Sequence, residues 1–148
     1  MTFVGCEKDG FGNPFGDSRY SVKINGVSYK VSTMIGSAGG WSEEYGDGGF
    51  TLSILEEYNG DYAIMEYNFF FKSDVAPKKD DNFADMDLQV DNPYEYGYYS
   101  YQDGDATITK VNKSDEYIMV KFDNLTMVDS KGNTLTFHGS APMPFRFH

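Results

Sequence analysis

The sequence predicts an all-β fold: an antiparallel β-sandwich of about eight to ten strands, with a lipocalin-like up-and-down barrel as the alternative. Three observations predict it. Two Asn-Gly dipeptides, Asn25-Gly26 and Asn59-Gly60, separate runs whose apolar residues match across the turn. Tyr and Phe, 12 of each, dominate an aromatic content of 17%, and both residue types suit a pleated, half-buried surface. No capping residue leads into a sustained apolar run of helical period.

The length of 148 residues fits one domain. A chain of this size buries about 68–70% of the surface its unfolded form exposes, so it needs no disulfide or metal staple. Residues 18–148 are expected to form that domain, with 1–17 a signal-peptide remnant and flexible tether around Cys6.

In the first hairpin, a two-residue turn at Asn25-Gly26 pairs Ile24 with Val27, Val22 with Tyr29 and Tyr20 with Val31. A slip of one residue would destroy this agreement. In the second, a turn at Asn59-Gly60 pairs Ile54 with Met65, Leu52 with Tyr67 and Phe50 with Phe69. Ser53 then meets Glu66 and Thr51 meets Asn68 on the other face. Further on, 105–111 is rich in Thr, Ile and Val, and 116–122 alternates with Ile118, Val120 and Phe122 on one face. Asp123-Asn124 suits a bulge, after which Leu125 and Met127 continue the apolar face. A turn cluster at 129–133 leads to a strand at 134–138. Pro142 and Pro144 argue against a central strand there and for an edge or tail. Segments 33–49 and 73–93 read as long connections.

The charge excludes some functions. The net charge is −11, the pI is near 4.4 and the only arginines are Arg19 and Arg146. Nucleic-acid binding needs a cationic stripe to neutralise phosphates, and none is present. A basic membrane-binding patch is missing for the same reason. With Cys6 the only cysteine, and His138 and His148 the only histidines, no multi-thiolate or multi-histidine metal site can be built. No cofactor is expected.

Cys6 follows Phe3-Val4-Gly5 and precedes Glu7-Lys8-Asp9 and a polar, Gly-rich stretch. This resembles the end of a bacterial lipoprotein signal peptide, and its continuation is similar to lipoproteins of Bacteroides-type bacteria. The resemblance implies that Cys6 is lipidated and becomes the new N-terminus. It also implies that the domain sits on the cell envelope, at the outer membrane or cell surface, touching the membrane only through that anchor. Five residues precede Cys6, fewer than a charged n-region and an apolar h-region require, so the resemblance implies a start upstream of Met1. The alternative is a free cysteine in a frayed tail. The last third of the chain, with its Val-Lys-Phe-Asp-Asn-Leu strand and its Gly-Asn turn before Leu-Thr-Phe-His-Gly, is similar in style to small β-sandwich lipoproteins of the same bacteria.

Candidate ligand-binding residues are aromatic. Trp41, the only tryptophan, lies in a Gly-rich loop from Gly36 to Gly49. There it suits stacking on a sugar ring, with Glu43, Glu44 and Asp47 accepting hydroxyl hydrogen bonds, or plugging the end of the core. Pro93 to Tyr101 holds five tyrosines. Strand alternation would place Tyr94, Tyr96 and Tyr98 on one face as a binding platform, and Tyr99 and Tyr101 on the other. The alternative is a strand shielded by cross-strand aromatic pairs. Asp85 and Asp87, on one strand face, are weak calcium candidates in an acidic loop otherwise balanced by Lys78 and Lys79.

These features favour a non-enzymatic domain binding a glycan or an envelope protein. A carbohydrate-active enzyme using two carboxylates, such as Glu56 and Glu66, is the alternative from another class. A purely structural envelope component is the third reading.

Overall fold

The computed structural model describes residues 20–32 and 39–148. Cys6, the expected tether and the first part of the Gly-rich loop lie outside the described residues.

Among the described residues nine strands form one sheet: β1 (Ser21–Ile24), β2 (Val27–Val31), β3 (Gly39–Ser42), β4 (Asp47–Tyr58), β5 (Asp61–Lys72), β6 (Gln89–Asp91), β7 (Tyr98–Asn112), β8 (Tyr117–Val128) and β9 (Thr134–Phe147). The order is β1-β2-β4-β3-β9-β8-β7-β6-β5, and the added pairings β1–β9 and β4–β5 close the sheet into a ring. The all-β expectation holds, and nine strands fall within the expected range. Neighbours are antiparallel except that β3 runs parallel to β9.

The ring closes at two levels. Near one end β1 and β2 bridge β9 to β4, through Ile24/Phe137 and Val31/Ile54. Near the other end β3 bridges them, through Gly40/Arg146 and Gly40/Gly49.

Both hairpin registers are those the sequence predicts. Asn25, Gly26, Asn59 and Gly60 all have positive φ, as a type I′ turn requires. The Asp123-Asn124 bulge is present between Phe122 and Leu125, with Asn124 at φ 49. The backbone N–H of Asn124 donates to Nδ1 of His138 across the bulge, at 3.2 Å.

The prolines require a correction. Pro142 and Pro144 lie inside β9, paired with Met119 and Tyr117. Phe145 donates its N–H to the carbonyl of Glu116, just before β8, at 2.8 Å, so the nitrogens of Pro142 and Pro144 face the opposite edge. There β1 ends its pairing at Gly139 and β3 begins at Phe145. A central strand thus has a local edge where no N–H donor is needed. The two long connections are also shorter than expected, because one contains β3 and the other contains β6 and a 3-10 turn at Phe83–Asp85.

Among the described residues seven phenylalanines fill the interior. Phe50 lies 4.8 Å from Phe69 and 4.6 Å from Phe83, ring centre to ring centre. Phe69 meets Phe122 and Phe137 at 5.7 and 5.2 Å, and Phe71 meets Phe145 at 6.2 Å. The 3-10 turn exists to deliver Phe83. Asn82 caps it, its Oδ1 accepting from the N–H groups of Ala84 and of Ala106 on β7, both at 3.0 Å.

Candidate binding groove

The outer face of the ring carries a groove of about 720 Å³ over β3, β4 and β5. Its origin is one cross-strand row. Successive registers align Gln89 with Phe70, Phe70 with Gly49, Gly49 with Gly40, and Gly40 with Arg146. Five strands thus contribute one residue each, and the central two have no side chain. The groove is the space those side chains would fill. Phe70 and Gln89 wall one side and Arg146 the other.

These glycines have a steric cause. A Cβ on Gly49 would lie 2.7 Å from the Phe69 carbonyl oxygen, and one on Gly40 would collide with the Arg146 carbonyl. Close approach of neighbouring strands therefore demands glycine here, and the concavity follows.

The neighbouring rows supply polar groups. One holds Thr51 and Asn68, with the Thr51 hydroxyl donating to Asn68 Oδ1 at 2.8 Å. The other holds Ser42, Asp47 and Lys72, with His148 at the rim. Lys72 pairs with Asp87 at 3.9 Å, both side chains well exposed, which contributes little to stability. Arg146 Nε reaches Glu116 at 3.3 Å. Phe70 is exposed and packs edge-on against Tyr98, with ring centres 6.0 Å apart and planes at 80°.

The sequence-predicted residues are dispersed. Trp41 is 7% exposed and belongs to the core. Its indole N–H donates to the Ser73 carbonyl at 2.9 Å, and it touches the groove from beneath. Residues 93–97 are not strand. The Asn92 side chain accepts from the Tyr94 N–H at 2.9 Å, and Gly97 has φ 106, so the chain turns and the expected single face of Tyr94, Tyr96 and Tyr98 does not form. Tyr94 reaches over the mouth of the ring, Tyr96 is fully exposed at the turn, and Tyr98 joins Phe70 outside. The sequence hides Phe70 as a site residue because it sits in an aromatic run, Phe69-Phe70-Phe71, of which Phe69 and Phe71 are core. Its position opposite Gly49 was the available signal.

Tyrosines and carboxylates gather at the mouth. Glu56 Oε1 accepts from the hydroxyls of Tyr58 and Tyr94, both at 2.7 Å. Tyr99 donates to Glu95. Burial, with Tyr29 and Glu56 adding to it, pushes the Tyr67 hydroxyl up to about 12. Burial and the Glu56 hydrogen bond raise Tyr94 as well.

Asp85 and Asp87 are not on one strand face. Asp85 ends the 3-10 turn, and Asp87 has φ 55 before β6 begins. Among the described residues no group of three or more His, Cys, Asp or Glu is placed to hold a metal ion. Glu56 pairs with Ala63 and Glu66 with Ser53, an odd offset that puts the two carboxylates on opposite faces of the sheet. No described helix is long and apolar enough to cross a membrane.

Comparison with protein-family models, with curated proteins and with solved structures finds no match.

Proposed function

We propose that this chain is a non-enzymatic binding domain of the bacterial cell envelope that captures a glycan in its outer groove, held to the membrane by a lipid on Cys6. The observation that supports capture is the glycine-floored row between Phe70 and Arg146. An exposed aromatic face beside a side-chain-free floor admits a flat sugar ring. Gln89, Asn68, Thr51 and Ser42 surround it with neutral amide and hydroxyl groups, the complement of sugar hydroxyls. The packed phenylalanine interior leaves the outside surface for the ligand. The anchor rests on the resemblance around Cys6.

A glycan array probed with the full chain tests capture. Phe70→Ala should weaken the strongest hit about tenfold, or 1.4 kcal/mol, while the far-UV spectrum stays unchanged. An array without hits, or equal binding by Phe70→Ala, refutes the groove. For the anchor, Cys6→Ala should move the expressed precursor from the membrane to the soluble fraction. Unchanged fractionation counts against it.

A further inference from the structure

We propose that the outer edge of β5, Tyr62–Glu66, is a docking strip on which a cationic, extended segment of a partner protein adds as a further strand. β5 pairs with β4 along its whole length, but with β6 only at Asn68, Phe69 and Phe70. Among the described residues no strand pairs with the rest of that edge.

The direction of each backbone group follows from the turn. Tyr58 and Asp61 close the two-residue turn as a hydrogen-bonded pair, so Ala63, Met65 and Tyr67 bond to β4. Tyr62, Ile64 and Glu66 then point their N–H and C=O groups outward. The alternation is confirmed further along, where Lys72, of the same set, donates to the Met86 carbonyl at 2.8 Å.

Edge strands are commonly protected by Lys, Pro or a bulge. This edge has none of these, reading Tyr-Ala-Ile-Met-Glu in regular register. Loop 92–97 instead turns across the mouth, where Tyr94 reaches Glu56.

Charge selects the occupant. Glu56, Glu57, Asp61 and Glu66 lie on the hairpin, and Asp91 and Glu95 follow on β6 and its loop. The sequence has no Lys or Arg between Lys30 and Lys72, or between Lys79 and Lys110. In the Ile64 row the one described cation is Lys30, two strands away beyond Leu55. A second copy of this chain, at net charge −11, would repel. A strand with basic residues flanking an apolar one places its cations beside Glu66 and beside Tyr62, behind which Glu57 lies on β4, and its apolar side chain beside Ile64.

The test uses the full chain, an acetylated Thr-Lys-Thr-Val-Thr-Lys-Thr amide, whose two lysines and valine share one face, and a Glu-for-Lys control peptide. In the free protein the Tyr62, Ile64 and Glu66 amides should exchange with solvent much faster than those of Ala63, Met65 and Tyr67. The basic peptide should slow the first set at least tenfold, and added salt should reverse this. Ile64→Pro should keep the fold, because that N–H is unbonded, and should lose peptide binding, whereas Met65→Pro should unfold. Protection of the three amides in the free protein would overturn the proposal, since another segment or copy would already fill the edge. Equal protection by both peptides, no response to the basic peptide, or full binding by a folded Ile64→Pro would also overturn it.

Discussion

At the scale of single residues, Tyr67 and Glu56 make the mouth of the ring sensitive to alkaline pH. The Tyr67 hydroxyl titrates near 12 when folded, against 10.0 unexposed to the fold. Below pH 10 both states hold the proton and its stabilising effect is intact. Between pH 10 and 12 the unfolded state loses the proton first, so stability falls as pH rises, by about 2–3 kcal/mol in total. Urea midpoints at pH 8, 10 and 12 check this, and a midpoint independent of pH across that range would refute it. Glu56 also raises Tyr58 and Tyr94 through hydrogen bonds to their hydroxyls. Glu56→Gln should lower the tyrosine titration seen by absorbance at 295 nm, and an unmoved curve would show that Glu56 has no such hold.

At the scale of elements, what the sequence made legible was local. Asn-Gly turns demand positive φ at two successive residues, which fixes a register that the alternating apolar residues then confirm. Asp123-Asn124 was legible as a bulge for a similar reason: the apolar period slips there by one residue. Non-local elements were hidden. β3 is four residues long, contains two glycines, and exists because β9 and β4 need a bridge. Pro142 and Pro144 read as a break because sequence does not reveal that β1 and β3 leave a gap beside them. Tyr94, Tyr96 and Tyr98 alternate like a strand, yet Asn92 and Gly97 turn the chain, and only tertiary pairing decides between the two. The groove was least legible, since its row joins residues from five strands. Its floor carries a prediction. Gly49→Ala sets a Cβ against the Phe69 carbonyl, forcing β4 and β5 apart, and should cost about 1–3 kcal/mol. Denaturant melts measure it, and an unchanged midpoint would mean that the strands are not pressed together as described.

At the scale of the whole molecule, the ring is strong in two arcs and weak where they join, at β6, which shares three pairs with each of β5 and β7, and at the seam formed by β1, β2 and β3. β4 and β5 share twelve register pairs, and β8 shares ten with each of β7 and β9. At the seam β2 meets β4 over two pairs, and β1 meets β9 over three. β3 contributes three pairs on each side. Local opening follows the regions with fewest cooperative bonds, so β1 and β2 should separate before either arc unfolds. Charge favours the same opening. With a net charge of −11, self-repulsion is relieved by expansion, and salt screens it over about 10 Å at 0.1 M. Native-state hydrogen exchange in low denaturant tests both points through the Val31 and Ser32 amides, which bond to the Tyr20 and Ser53 carbonyls at 3.0 and 2.8 Å. These two should exchange through an opening of smaller free energy than core amides such as Val120, and 0.5 M salt should narrow the difference. A single shared opening energy for seam and arcs would mean that the ring unfolds as one cooperative unit. The short registers would then be held by the phenylalanine core beneath them rather than by their own bonds.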